Sequence, residues 1–356
     1  MSAIEIIAIA GLLVWLYLVL LHGGFWRTRE REEVHDFRDS PPNFDWPSIV
    51  AIIPARNEAD VLPRSLASLA AQNYPGEFSI VLVDDQSSDG TSDVAQRIAN
   101  EAGRKIIVVS GAALPSGWTG KVWAMHQGIA VASDQADAPQ YFLLTDADIG
   151  YEPDVLTSLV QWASGENRVL TSVMAKLNCE SFAEKALVPA FVFFFKMLYP
   201  FAWANRAIAR TAAAAGGCML VERLALERAG GIAAIRGALI DDCTLATNMK
   251  VQGPIWLGMS ERVVSLRSYP KVDDIRRMVA RSAYAQLHYS PLLLLGTVAG
   301  LSVIYLAPPA IFLAGSYPAW VLAGITYLLM AVSFQPTLRF YHRSPLWGLG
   351  LPLIAA

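Results

Sequence analysis

Three close-set groups of acids stand out in the sequence: Asp84-Asp85, Asp146-Ala147-Asp148 and Asp241-Asp242. The first two close runs of strand-forming residues, Phe78 to Val83 and Tyr141 to Thr145, and the third follows Gly237-Ala238-Leu239-Ile240. Acids at the carboxyl ends of parallel strands sit where open α/β sheets bind ligands. Like charges held this close repel, and a divalent cation with a polyphosphate is the simplest means of keeping them ionised. In an extended segment alternate side chains share a face, so Asp146 and Asp148 are expected to hold one Mg2+ or Mn2+, with diphosphate oxygens completing its shell. Asp241-Asp242 precedes Cys243-Thr244-Leu245-Ala246, which reads as a helix start. There the acids either favour the helix terminus or serve as a general base for an alcohol that loses its proton as it attacks.

Other residues add to this chemistry. In Asp84-Asp85-Gln86-Ser87-Ser88-Asp89-Gly90-Thr91, Ser88, Asp89 and Thr91 read as turn and capping residues. Asp84 and Asp85 are candidates for recognising a base and ribose beside a helix amino terminus that favours phosphate. Gly216 and Gly217, in Ala215-Gly216-Gly217-Cys218-Met219, let backbone approach an acceptor or diphosphate closely. Lys121, in Gly117-Trp118-Thr119-Gly120-Lys121-Val122-Trp123, is placed to meet phosphate charge.

The elements that must position these residues follow from periodicity. Ser48 to Ile53, Phe78 to Val83, Lys105 to Val109 and Tyr141 to Thr145 read as buried strands. Between them, Ala59 to Gln72, Thr91 to Glu101 and about Lys121 to Ala132 read as helices, with Asn57 a possible cap for the first. Alternating strands and helices imply parallel βαβ units in a doubly wound sheet with loops gathered at one edge.

The chain of 356 residues is 54% hydrophobic and only 17% charged, too apolar for an ordinary soluble enzyme. A net charge of -3 provides no basic surface for nucleic acid. Cys179, Cys218 and Cys243 lack zinc-like spacing and imply no disulfide framework. Ile6 to Leu21, Pro291 to Ala314 and Pro318 to Phe334 read as membrane spans. Arg27, Arg29, Arg31, Arg339 and Arg343 flank them on one side, which by the positive-inside rule places the middle of the chain in the cytoplasm. Leu187 to Trp203, aromatic and marginal in length, reads as an interfacial helix. The apolar run from Pro345 to Ala356 reads as part of a last helix that is cut short.

The set Pro54-Ala55-Arg56-Asn57-Glu58, Asp84-Asp85, Asp146-Ala147-Asp148 and Asp241-Asp242-Cys243-Thr244-Leu245 resembles the family-2 glycosyltransferases of GT-A fold. With Gly117 to Ala124 and Thr211 to Leu220 included, the chain looks like the hopene-associated branch, related to ceramide glucosyltransferases. The resemblance implies a Rossmann-like, mostly parallel α/β catalytic domain with amino- and carboxyl-terminal transmembrane helices. It implies that Pro54, Ala55, Glu58 and Asp85 line the nucleotide site, that Asp146 and Asp148 hold metal and diphosphate, and that Asp242 is the base. The family's late Gln-x-x-Arg-Trp motif is reduced to Arg281, with Met278 and Ser282 in place of Gln and Trp, which speaks against polymer synthesis.

The expected organisation is an anchor over 1–26, a linker over 27–47, a catalytic domain over 48–270, an amphipathic interfacial segment over 271–290 and membrane helices over 291–356. The expected activity is inverting transfer of one sugar, from a nucleotide sugar and most simply a UDP-sugar, to a membrane lipid hydroxyl. Its setting would be a bacterial inner membrane crossed several times, with the catalytic domain cytoplasmic. The rival readings are a processive polysaccharide synthase and a membrane-anchored nucleotide-binding protein without turnover.

Overall fold

A computed structural model of the chain describes residues 1–32, 44–135 and 137–355; most of the linker expected over 27–47 lies outside the described residues. The chain divides into a sheet unit, 30–178 with 203–267, and a helical unit, 1–29 with 179–202 and 268–356.

Among the described residues the sheet unit holds eight strands: β1 (Ile49–Ala55), β2 (Phe78–Asp84), β3 (Ile106–Ser110), β4 (Tyr141–Thr145), β5 (Ile149–Tyr151), β6 (Leu170–Lys176), β7 (Cys218–Glu222) and β8 (Ile255–Ser265), in the order β3-β2-β1-β4-β7-β6-β8-β5. The half containing β3, β2, β1 and β4 is parallel, as the βαβ pattern requires. The other half is mixed: β7 runs antiparallel to both β4 and β6, and β5 antiparallel to β8, while β6 and β8 are parallel. Successive residues of β1 serve opposite faces. Ile49, Ala51, Ile53 and Ala55 join one core, with the helices Leu62–Ala70 and Val155–Gly165; Val50 and Ile52 join another, with Gly120–Ser133 and Asp241–Lys250.

The helix Gly120–Ser133 lies close on the sheet because Gly128 has no side chain. A Cβ there would come within 2.7 Å of Ile52 Cγ2 and 3.1 Å of Val83 Cγ2, methyls on β-branched side chains with little freedom to move. We expect Gly128→Ala to destabilise the protein by about 1–3 kcal/mol through overpacking. A thermal melt in detergent that superimposes on wild type would remove this packing role.

The helical unit contains the helices Ala3–Leu20, Phe182–Ala204, Pro291–Ala314 and Ala319–Phe340, each long and apolar enough to cross a membrane by length and composition. The helix expected over Leu187 to Trp203 begins earlier, at Phe182, because Ser181 and Glu184 form a capping box that the aromatic run downstream obscures in the sequence, and it breaks after Leu198, at Tyr199-Pro200, before the short helix Phe201–Ala204. Within this unit, Phe193 packs 5.1 Å from Phe25 and 5.3 Å from Phe334, ring centroid to centroid. Glu184 also accepts from the Tyr269 amide at 2.6 Å, tying the helix start to the segment that follows the sheet unit.

Candidate active site

Strand register collects the acids. Ala55 of β1 pairs with Asp84 of β2, and β1 and β4 are parallel neighbours where the strand order reverses, so Pro54-Ala55, Asp84-Asp85 and Asp146 emerge at one edge. Open sheets bind ligands at that position. Because β7 is antiparallel to β4, with Cys218 opposite Thr145, Gly216 and Gly217 arrive at the same edge from the other direction. Thr145 donates through its hydroxyl to Gly217 O at 2.8 Å, and the Tyr151 hydroxyl donates to Thr145 Oγ1 at 2.6 Å. Nothing in the sequence marks Thr145 or Tyr151, since both look like ordinary strand residues.

At the centre, Lys121 Nζ lies 2.7 Å from Asp146 Oδ1 and 3.2 Å from Asp241 Oδ2. The second contact is ionic without hydrogen-bond geometry, leaving Asp241 Oδ2 a buried oxygen with no hydrogen-bond partner. Burial works against the Lys121 ammonium, but Asp146 and Asp241 more than reverse this, so its pKa is raised. Burial likewise raises Asp146, with Lys121 opposing. Lys121 reaches this point because the helix Gly120–Ser133 starts beside Asp85.

Asp242 occupies the first turn of the helix Asp241–Lys250. Its Oδ2 accepts from the Gly216 amide at 3.0 Å and its Oδ1 from the Cys243 amide at 2.7 Å. Burial and the neighbouring Asp241 charge raise its carboxyl to about 6, against the pull of Lys121 and the two amides. A Cβ on Gly216 would lie 3.0 Å from Lys121 Nζ and 3.5 Å from Asp242 Oδ2. The glycine therefore keeps space open between the cation and the acid.

On the strand-end side, Asp84 Oδ1 accepts from the Ser87 amide at 3.1 Å, so one of its oxygens serves the turn. Asp85 is buried, with Oδ2 at 3.4 Å from Arg56 Nη1. Asn57, expected as a cap, instead adopts a positive φ of 56° and accepts from the Ser88 amide at 2.9 Å; the helix it precedes is capped by Val61 without a side-chain bond. The Glu58 amide donates to Thr91 Oγ1 at 2.8 Å and the Ala59 amide to Asp89 Oδ2 at 3.1 Å, closing the two loops on each other.

Asp146 and Asp148 do not lie on one extended segment: the strand ends at Thr145 and Ala147-Asp148 form a turn into β5. Asp148 Oδ2 accepts from the Ser265 hydroxyl at 3.2 Å and from Arg267 Nε at 3.0 Å. Arg267 also grips Glu58, so one guanidinium just past β8 joins a strand-end acid to the Asp146-Ala147-Asp148 turn. Burial raises Glu58, with Arg267 opposing. Sequence reasoning misses Arg267, because a lone arginine after a strand carries no periodic signal. Arg281 lies on the helix Val272–Gln286 in the helical unit, with its side chain outside the described residues.

The donor set is suited to a hard divalent cation. Asp146 and Asp148 each commit one oxygen to protein cations, leaving Asp146 Oδ2 and Asp148 Oδ1 without a hydrogen bond among the described residues. Among those residues no group of three or more His, Cys, Asp or Glu is arranged to hold a metal by itself. Divalent cations that act on phosphates are commonly held by one or two carboxylates and completed by the substrate's own oxygens.

The chain is 32% identical over 126 residues to a 4,4'-diaponeurosporenoate glycosyltransferase of Staphylococcus haemolyticus, covering 35% of this chain and 31% of the relative. It is 44% identical over 62 residues to a PGL/p-HBAD biosynthesis glycosyltransferase of Mycobacterium bovis, covering 17% of this chain and 24% of the relative. The chain thus spans less than a third of the length of these curated relatives. In fold it is similar to the Pyrobaculum calidifontis mannosyltransferase PcManGT, solved with GDP-Man and Mn2+, at a TM-score of 0.57 and 22% identity over 99% of this chain and 97% of that one. Residues 50–229 match glycosyl transferase family 2, which is half of the sequence and includes every strand-end acid of the parallel sheet. The chain is a member of glycosyl transferase family 2 with the GT-A fold.

Proposed function

We propose that this chain transfers one sugar from a nucleotide sugar to a lipid hydroxyl at the membrane, by a single displacement that inverts the anomeric centre. The observation that carries this reading is Asp242, a carboxylate fixed by the Gly216 and Cys243 amides, raised toward neutrality, and standing beside the Lys121 cation. Such a group takes a proton from an alcohol as it attacks. A single base suffices, because no covalent sugar on the protein is needed.

Asp85, Glu58 and the strand-end backbone at Pro54-Ala55 form the nucleotide side, with Asp84 shaping the turn. Lys121 neutralises charge on the departing diphosphate and holds Asp146 in place. Arg267 orients Asp148 and Glu58 across the same opening. Asp146 and Asp148 are the residues that would hold Mg2+ or Mn2+, which when bound offsets diphosphate charge. The mannosyltransferase of similar fold, solved with GDP-Man and Mn2+, supports such a donor and such an ion.

The lipid acceptor is supported by the four helices among the described residues that are long and apolar enough to cross a membrane, and by a relative named for 4,4'-diaponeurosporenoate. The hopene-associated motif set makes a hopanoid the first acceptor to try. In this reading 1–26 anchors the chain, 271–290 lies at the headgroups and the sheet unit is cytoplasmic. Purified protein in lipid nanodiscs, given UDP-sugars or GDP-mannose with a hopanoid alcohol or a host lipid extract, should add one sugar to one lipid class by mass spectrometry. Ladders of many sugars on one lipid would favour a processive synthase. No transfer from any donor would leave a binding protein.

A further inference from the structure

The turn Arg206–Arg210 follows the short helix Phe201–Ala204, which closes the apolar stretch begun by Phe182–Leu198, and is not part of the acid site. Its sequence is Arg206-Ala207-Ile208-Ala209-Arg210. Ile208 is 98% exposed, and both arginines are exposed with no carboxylate within ion-pair distance among the described residues. The turn is not loose. Asn205 exchanges two hydrogen bonds with Leu257 of β8, at 3.0 and 2.7 Å. Lys250 Nζ donates to the carbonyls of Trp203, Ala204 and Thr211 at 3.3, 2.7 and 2.5 Å, closing the base of the turn. Inside it, the Arg206 and Ala209 amides donate to the Trp203 and Arg206 carbonyls at 3.2 Å each.

A single exposed isoleucine is ordinary on a protein surface. Here it is held at the tip of a braced turn, between two cations that face no carboxylate among the described residues. Holding a half-buried lysine under three carbonyls at the base of an exposed aliphatic tip costs desolvation, which lowers the lysine's pKa. Ile208 is four residues beyond Ala204, so extended chain places it within about 14 Å of the helix end. A helix of this kind ends at the headgroup level, where an aliphatic side chain partitions into the acyl boundary and flanking arginines meet anionic headgroups.

We propose that Arg206, Ile208 and Arg210 form a docking tip that inserts into an anionic lipid surface. The tip fixes the sheet unit's acceptor strand β7, which begins eight positions after Arg210, near the plane where a lipid hydroxyl is presented. This rests on reading the apolar helices as membrane-inserted, and the test separates the two. In a Cys179→Ser background, Ile208→Cys carries an environment-sensitive fluorophore in the full chain, reconstituted in vesicles. Leu328→Cys, on the helix Ala319–Phe340 and 62% exposed, is the control for insertion.

The Ile208 label should shift to the blue and be quenched by brominated lipid in vesicles containing phosphatidylglycerol, and much less in phosphatidylcholine alone. Arg206→Gln and Arg210→Gln should each weaken this docking roughly five-fold. A water-exposed Ile208 label in both vesicles, with the Leu328 label quenched, overturns the docking tip and leaves the membrane reading standing. Both labels exposed to water overturn both. A shift produced equally by inorganic phosphate in phosphatidylcholine vesicles makes the arginines an anion site and also overturns the proposal.

Discussion

Asp242→Asn lowers the rate of sugar transfer by about 10²–10⁴-fold while leaving the fold intact, the loss expected when a positioned base can no longer accept a proton. The amide is nearly isosteric with the carboxylate and its carbonyl oxygen still accepts from the Gly216 amide at 3.0 Å, while its NH2 gives up only the acceptor that Oδ1 offers the Cys243 amide at 2.7 Å. The loss therefore falls on kcat, with donor binding kept. The pH profile gives an independent check. The Asp242 carboxyl is raised to about 6 by burial and by Asp241, so it is ionised above that pH and becomes protonated below it. Transfer should fall as pH drops through about 6. Asp241→Asn removes a like charge and should move this limb to lower pH; Lys121→Met removes an opposing charge and should move it higher. An Asp242→Asn protein with wild-type kcat, or a limb unmoved in both variants, takes Asp242 out of the base role.

Much of this site is legible in the sequence because its acids end apolar runs of strand length. Phe78 to Val83 and Tyr141 to Thr145 could hardly be anything but buried strands; β4 has the boundaries the pattern predicts, and β2 adds only Asp84. What is not legible depends on partners far away along the chain. β7 looks like any short apolar strand, and its antiparallel insertion between β4 and β6 is a tertiary choice that local pattern does not encode. That choice is what brings Gly216 to Asp242. Lys121 is a weak signal in sequence because most lysines are solvated; it becomes central only when the close packing at Gly128 seats its helix against Ile52. The expected sharing of a face by Asp146 and Asp148 fails for a local reason. The chain must turn at Ala147-Asp148 for Ile149 to reach Ser265 of β8, and the Asp148 carbonyl accepts from the Leu266 amide at 2.8 Å in that turn.

Removing divalent metal with a chelator should slow transfer by about 10²–10³-fold, a few kcal/mol of barrier, with Mn2+ or Mg2+ restoring it. Asp148→Ala should lose as much and not be restored at the same metal concentration. The reason lies in how the charges are shared. Lys121 neutralises Asp146 and Asp241 from one side, and Arg267 neutralises Asp148 and Glu58 from the other. Each cation takes one oxygen of Asp146 or Asp148 and leaves the second without a hydrogen bond among the described residues. Arg267→Met should then keep the metal requirement but need more metal for half-maximal rate, since Asp148 loses its fixed orientation while Ser265 still holds it at 3.2 Å. The competing possibility is chemical: Lys121 already places a cation 2.7 Å from Asp146 and could carry the diphosphate charge alone. Full activity after chelation, together with near-complete loss in Lys121→Met, would decide for the lysine and dismiss the metal from this site.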